Sequence, residues 1–588
     1  MTDHKRPHTD RSILLVGIPA ALAILLYART STFGFVRADD TDLIAGNQTF
    51  LSAAANIPRA FTRSYFETES ELTEQKTYYR PLTIVSFMVD AWRGGDQPRP
   101  YHTSNVVLHA LATGLLVLLS TAWGASRNSA AAAGVLFAVH PLNVQAVAWI
   151  AGRNDLLLAV FALIALMTWS QADVRWLSLS TSPRRASTGP RRSLRGSSGG
   201  EGERPAALQD KAKRTDTSVT AASDTDGNNL AGVIHIIAFA CALFAKETGV
   251  FVPLISVLHQ RLVRGARLNR IHWIMLALDA VVAVVWLVLR TQALADGEPN
   301  RSFYQSLTVL IDNTPQVLVQ IGKVLFPFRL NVSPGVDVIG LVVGALAAVA
   351  LTAFAVKRIP PRDALLGAGW VLLFLAPTLL VPGLPAYEHR MYVPLAGLLV
   401  AASRAQIPPT RVSTAAIFLA VVVTFAWMSW SRQEVFRSPF TYWQDATRDA
   451  RYASIAHVNL GQLHDEARHP GEARLHFQLA LDIDPNTPKA HNNLGVVLMQ
   501  LGQPDAARRQ FVLETQRHPD NADAWFNLGL WAELRGQNEM AADYWRRAVA
   551  VNRYYLAAYE KLQAYHLARG ETGKAREYRE RLEAIKGR

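Results

Sequence analysis

The feature that most constrains this chain is a succession of apolar runs separated by polar loops, at 12–27, 106–123, 130–150, 156–169, 231–244, 250–262, 271–289, 336–356, 364–381, 391–402 and 415–430. A run of roughly 20 apolar residues, coiled as a helix, matches the hydrocarbon thickness of a bilayer. Lipid offers the backbone no hydrogen-bond partners, so helices that satisfy themselves are the expected form. These runs predict an all-α fold, a polytopic helical bundle of about 11 transmembrane helices in two parts, 1–170 and 231–435. Half of the sequence is hydrophobic and 18% is charged, yet residues 440–588 read as polar helix. The mean hydropathy of +0.10 is therefore a mixture of two regimes. The single cysteine, Cys241, lies in an apolar run, which excludes an intrachain disulfide and argues against a zinc cluster. A single soluble domain, a disulfide scaffold and a disordered chain are all excluded.

Charge supplies an orientation. Lys5, Arg6 and Arg11 precede the first run and place the N-terminus in the cytoplasm. No small-x-small cleavage site follows cleanly, so the first helix reads as uncleaved. The loops carrying Arg261, Arg264, Arg267 and Arg270, then Lys357, Arg358 and Arg362, then Arg404 and Arg411 are expected inside as well. Eleven crossings satisfy these loops if 302–330 lies along the outer surface without crossing. The loop 29–103 and the C-terminal region then face outside, which predicts a multi-pass protein of the inner (plasma) membrane with a periplasmic or extracytoplasmic tail. Residues 171–230 are rich in Ser, Arg, Gly, Thr and Asp and cannot bury a core. They read as a disordered cytoplasmic insertion, a solvated linker whose Arg pairs, 184–185 and 191–192, can also meet anionic lipid. The net charge of +13 arises in the membrane half, because the tail is almost neutral. It reads as topology and phosphate-binding chemistry, and nucleic acid is not needed to explain it.

The tail repeats. Ser454, Pro488, Ala522 and Leu556 open units spaced 34 residues apart. The seventh position is Leu460, Leu494, Leu528 and Leu562; the eighth is Gly461, Gly495 and Gly529, then Gln563; the twentieth is Ala473, Ala507, Ala541 and Ala575. Several positions agreeing at one period make a strong signal. The pattern resembles the tetratricopeptide repeat, whose small residues let paired helices pack closely into a solenoid, with about four repeats in 440–588. Arg579 replaces an apolar residue in the last unit and suits a terminal cap. A concave peptide-binding surface is the expected use, against a spacer or dimerisation arm.

Polar residues in apolar sequence cost free energy unless they are used. Asp39 and Asp40 follow the first run, and Tyr79-Arg80-Pro81-Leu82 comes later in the same loop. Tyr101, His102, Asn105 and His109 follow, the last three spaced to share one helical face. His140-Pro141 interrupts the third run, and Gly152-Arg153-Asn154-Asp155, Lys246-Glu247-Thr248-Gly249 and Glu388-His389-Arg390-Met391-Tyr392 sit at later run ends. With the N-terminus inside, every one of these faces out, while the inside loops hold generic basic residues.

These motifs, in order and followed by the repeats, are similar to the transmembrane-and-tetratricopeptide-repeat protein O-mannosyltransferases, members of the GT-C class of glycosyltransferases. The resemblance covers nearly the whole chain. It does not include the insertion at 171–230 or Gln145, where an acidic residue is usual, so Gln145 receives no catalytic role. It implies transfer of a hexose, expected to be mannose, from a polyprenyl-phosphate sugar to Ser/Thr hydroxyls of an acceptor protein recruited by the repeats. Asp39 matches the catalytic position, with Asp40 as its neighbour. A hydroxyl nucleophile needs a carboxylate base within hydrogen-bond reach. Arg390, Lys246 and Arg153, with His102 and His140, are the expected donor-phosphate ligands. Arg80, Tyr101, Asn105, Asp155, Glu247 and Glu388 are further site candidates. The cofactor stays open: a divalent cation is one candidate, with Asp39 and Asp40 as partial ligands. The Gly-, Ala- and Arg-rich composition points to a bacterial source and an undecaprenyl-phosphate donor.

Plainer roles stand beside these. Asp39 and Asp40 can be solvated loop acids, Arg80 can pair with a loop carboxylate, and Glu247 and Glu388 can be ion-pair partners of neighbouring cations. His109 reads as a packing histidine, and Trp427 and Trp430 as an interfacial belt. Two other functional classes fit the organisation: a non-catalytic repeat scaffold in the membrane, and a GT-C transferase acting on an envelope lipid or polysaccharide.

Overall fold

The computed structural model describes residues 9–66, 78–171, 230–294, 303–381, 387–406, 412–448 and 453–586. The expected insertion at 171–230 lies outside the described residues apart from its two end positions. Every regular element among the described residues is helical, and no strand occurs there.

Among the described residues seven helices are long and apolar enough to cross a membrane: Leu14–Thr32, Pro98–Ala122, Ile150–Gln171, Arg270–Ala293, Val338–Arg358, Pro361–Leu379 and Ala415–Phe436. An eighth is obtained if Arg127–Val139 and Pro141–Ala148, bent by 52°, count as one span. The bend falls at His140-Pro141, where the run was expected to break. The remaining apolar runs of the eleven expected form shorter helices. Leu230–Ala245 is a shorter apolar helix. The run at 250–262 divides into a 3-10 turn, the helix Val252–Leu258 and a π turn at His259–Val263. Tyr392–Ala402 has 11 residues, a rise of about 16 Å, against a hydrocarbon core of about 30 Å. Val252–Leu258 and Tyr392–Ala402 each begin after a 3-10 turn that carries charged residues into the protein, Lys246–Glu247 and Glu388–Arg390. The helix Phe303–Leu325, expected on the outer surface, is not among the seven.

The membrane core is built around Pro98–Ala122, Arg153–Gln171 and Tyr392–Ala402, packed against the first helix and Arg127–Val139. The spans Arg270–Ala293, Val338–Arg358 and Ala415–Phe436 are peripheral and expose most of their apolar surface.

The tail forms four helix pairs, Ala453–Glu466 with Pro470–Ile483, Ala490–Gln500 with Pro504–Arg517, Ala522–Leu534 with Asn538–Val551, and Leu556–Ala568 with Thr572–Lys586. The glycine at position eight has a steric cause. A Cβ on Gly461, Gly495 or Gly529 would come within 2.6, 2.5 or 2.2 Å of the rings of Phe477, Phe511 and Trp545. In the last unit Gln563 and Arg579 replace the glycine and its ring together. A short helix, Pro439–Ala446, capped by Ser438, joins the bundle to the first repeat. Arg37, in the loop before Asp39, forms an ion pair with Glu466 of the first repeat. The amide of Gly34 donates to the carbonyl of Arg437 at 3.2 Å.

Candidate active site

Helix ends from five parts of the sequence converge on a cavity of about 210 Å³ lined by Asp39, Arg80, Asn154, Lys246, Glu247, His389 and Arg390, with Tyr65, Tyr78, Trp149 and Tyr387 as aromatic walls. Asp39 opens the short helix Asp39–Leu43. Arg80 immediately precedes Pro81–Gly94, which starts with proline at its first position. Lys246 and Glu247 follow Leu230–Ala245, in a turn kept tight by Gly249, where a Cβ would lie 2.7 Å from the Ala242 backbone. His389 and Arg390 belong to the 3-10 turn before Tyr392–Ala402. The polar residues sit where helices stop because backbone ends and charges both seek a shared polar space.

The charges on the wall are not equivalent. Arg80 grips Glu247 with two bonds, Nη2 to Oε1 at 2.9 Å and Nε to Oε2 at 3.2 Å. Burial would raise Glu247, but Arg80 and Lys246 hold its carboxyl down at about 2. Lys246 donates to Asp155 at 2.7 Å. Arg390 has no carboxylate within ion-pair distance among the described residues, and its guanidinium lies 5.4 Å from the Tyr387 ring centre. Burial, together with Lys246, Arg390 and Arg80, drives His389 well below the usual histidine range, so its imidazole is neutral. Burial and the nearby Asp42 push Asp39 up to about 6, and Arg80 partly offsets them.

The two aspartates divide. Asp40 is 1% exposed and is not on the cavity wall. Its Oδ2 accepts from the Val36 amide at 3.1 Å, and burial raises its carboxyl to about 7. Asp40 thus shapes the loop that presents Asp39. The pair does not offer one shared bite to a cation, and Glu247 is engaged by Arg80. Among the described residues no group of three or more His, Cys, Asp or Glu side chains is placed to hold a metal ion. Among the described residues Asp39 and Asp40 do not by themselves assemble a divalent site.

Of the expected phosphate ligands, Arg390 and Lys246 line the cavity and three others do not. Arg153 is wholly buried, paired with Asp90, and donates to Asn105 Oδ1 at 2.8 Å and the Tyr101 carbonyl at 2.5 Å. It ties three helices together. Its cation is consumed by that role. His102 Nε2 lies 3.4 Å from the Gly34 carbonyl. His140 joins the Val324 carbonyl at 3.0 Å and accepts from the Leu142 amide at 3.2 Å, so both its nitrogens are occupied. Tyr101 accepts from Gln48 at 3.2 Å and donates to the Gly95 carbonyl at 3.1 Å. Asn105 donates to the Trp149 carbonyl at 3.1 Å. These four support the walls. Glu388 accepts from Lys323 and from the Asn331 amide, both at 2.9 Å, and so faces away from Arg390. Gln145 bonds the Val332 carbonyl and the His389 amide, a structural position. The aromatic walls Tyr65 and Tyr78 carried no sequence signal of their own, and Asp42 acts on Asp39 only through the turn that brings them together.

Fold and site together define an all-helical, multi-pass membrane protein with an ionic cavity at its helix ends and a C-terminal tetratricopeptide solenoid. No family model matches the chain. Among curated proteins it is similar to protein O-mannosyl-transferases. It is 37% identical over 151 residues to Tmtc1 of Drosophila melanogaster, covering 26% of this chain and 17% of that protein. To TMTC2 of Homo sapiens it is 33% identical over 152 residues, covering 26% and 18%. To TMTC4 of Homo sapiens it is 31% identical over 174 residues, covering 27% and 23%. Each match therefore spans under a quarter of the relative's length. Solved structures with some likeness are of repeat proteins: MamA, with a TM-score of 0.23 at 15% identity over 25% of this chain and 87% of that one, and YrrB, a TPR protein with an unusual peptide-binding site, with 0.22 at 20% over 30% and 92%.

Proposed function

We propose that this chain is an integral-membrane glycosyltransferase that moves a hexose, mannose by the names of its relatives, from a polyprenyl-phosphate sugar to Ser/Thr hydroxyls of an acceptor protein on the extracytoplasmic face. The observation that carries this reading is the pairing, in one cavity, of a half-buried carboxylate raised toward neutrality with an arginine that has no ion-pair partner among the described residues.

In this reading Asp39 accepts the proton of the acceptor hydroxyl as the oxygen bonds to the anomeric carbon. A base whose pKa approaches the working pH combines correct ionisation with useful basicity. The bond from the anomeric carbon to the phosphate oxygen breaks on the opposite face, and the lipid leaves as a polyprenyl phosphate. Arg390 and Lys246 receive that charge. Fixed cations in a water-poor cavity stabilise a developing anion without reorganising. Arg80, Glu247 and Asp155 hold the cationic wall in place, and the neutral His389 can donate a hydrogen bond. The tetratricopeptide solenoid, tied by Arg37 to the Asp39 loop, brings the acceptor chain to the same side.

Purified full-length protein, given polyprenyl-phosphate mannose and an unstructured Ser/Thr peptide, should yield peptide carrying one added hexose with inverted anomeric configuration. Absence of peptide product, with the sugar found instead on a lipid or polysaccharide, would reassign the acceptor.

A further inference from the structure

A second cavity, of about 660 Å³, is separate from the one holding Asp39. Its polar side carries Lys323, Arg329 and Arg448 against one wall carboxylate, Asp337. Its apolar side includes Phe326, Phe328 and Val343. Phe326 and Phe328 remain 49% and 43% exposed, with ring centres 6.4 Å apart.

Position and charge both point to an amphiphile. Gly340 and Val343 on the cavity wall belong to the first turns of Val338–Arg358, a span whose apolar window is only 11% buried. The cavity therefore opens where a lipid-facing helix begins, the level at which phosphates and aromatic side chains gather in a bilayer. Arg329 bonds Asp337 at 2.8 Å and Arg448 bonds Asp445 at 3.1 Å, yet both side chains are more than half exposed. A guanidinium has five donors and a carboxylate uses at most two, so each retains donors for a phosphate. Arg329 also holds a left-handed backbone, φ 57°, a conformation that costs a non-glycine residue and persists where the surroundings fix it.

We infer that this cavity is a binding site for an anionic glycerophospholipid, its phosphate between Arg329 and Arg448 and an acyl chain over Phe326 and Phe328. The site is for a ligand, not a substrate, because its wall offers no carboxylate free of an ion pair and Asp39 lies in the other cavity. It is nonetheless connected to the candidate active site. Arg448 bonds Asp445, Asp445 bonds Arg432 at 2.8 Å, and Lys323 bonds Glu388 at 2.9 Å. Glu388 is next in sequence to His389 and Arg390, which line the smaller cavity. Binding does not depend on the transferase reading, so the test reads lipid rather than sugar.

The full chain, exchanged into nanodiscs of mixed phosphatidylglycerol and phosphatidylcholine and released for native mass spectrometry, should retain one phosphatidylglycerol about tenfold in preference to phosphatidylcholine, the ratio expected for roughly one charge-assisted contact. Arg329→Gln with Arg448→Gln should abolish that preference while leaving the melting temperature of the repeats unchanged. A photoreactive phosphatidylglycerol should label wild-type peptides within 319–343, which keeps the site testable if the double variant misfolds. Retention of the preference by a folded double variant would overturn the assignment. So would labelling only elsewhere, equal competition by glycerol phosphate (an anion site without lipid), or displacement by equimolar polyprenyl phosphate (an extension of the donor site).

Discussion

Asp39 and Arg390 are the two charged residues on the small cavity's wall without an ion-pair partner among the described residues, and their contrast with Arg80 and Glu247 sets expectations for each. Asp39 acts as a base only when ionised. Its carboxyl is raised to about 6, chiefly by burial, so transfer should be weak at pH 5 and rise to a plateau above about pH 7, as read from kcat/KM against pH. The stability linkage has the opposite sense to an ordinary ion-paired acid. A folded-state pKa above the unfolded value means that ionising Asp39 at higher pH costs stability while enabling the chemistry. Replacing Arg390 removes a cation that forms no ion pair among the described residues. Arg390→Ala should leave the melting temperature close to wild type while lowering transfer about 100-fold or more. Arg80→Ala strands Glu247 in a largely buried position and should destabilise the protein by about 2 kcal/mol, discounted for the exposure of Glu247. Thermal unfolding measured beside activity separates a functional cation from a structural one.

Helices and repeats differ in how much of them the sequence discloses. Position eight of the solenoid is legible because one steric rule, a glycine beneath an aromatic ring, recurs at each of the first three units. The last unit breaks the rule at both positions at once, Gln563 and Arg579, as a terminal cap permits. The turn between the helices of each pair carries a second regularity. Gly502, Gly536 and Gly570 adopt φ of 73°, 71° and 74°, and the first repeat places Arg468 there at 60°. Arg468→Gly should therefore stabilise the first repeat by about 0.5–1 kcal/mol, measured by denaturant unfolding of the full chain. Membrane spans were less legible. Hydropathy locates apolar runs, but 250–262 and 391–402 are short helices entered through 3-10 turns, and neither reaches the length of a straight span. What decides their form is the polar segment before them, whose partners lie far away in sequence.

That distance also limits what could be read of the site in the whole molecule. Arg80 meets Glu247 across 167 positions, and Lys246 meets Asp155 across 91. Each motif was visible by itself, and the resemblance set them in order, but no local pattern showed that Arg153 would turn inward to Asp90 or that Glu388 would turn toward Lys323. Arg37 pairs with Glu466 and Gly34 bonds Arg437, so the Asp39 loop and the first repeat meet at one end of the bundle, which predicts that both are reached from the same side of a membrane. With Cys241 replaced by serine, single cysteines at Ser52 and Gln503, both exposed, should react alike with an impermeant maleimide in sealed vesicles of one orientation. Opposite labelling would break the link between repeats and cavity.

The central claim, that Asp39 is the base of a sugar transfer, is tested most directly by Asp39→Asn in the purified full chain with labelled polyprenyl-phosphate mannose and a Ser/Thr peptide. Asparagine keeps the shape and removes the basicity. Donor binding should stay within about twofold of wild type while single-turnover transfer falls about 100-fold or more, the range expected for loss of a general base. Undiminished transfer by a folded Asp39→Asn protein would contradict the account.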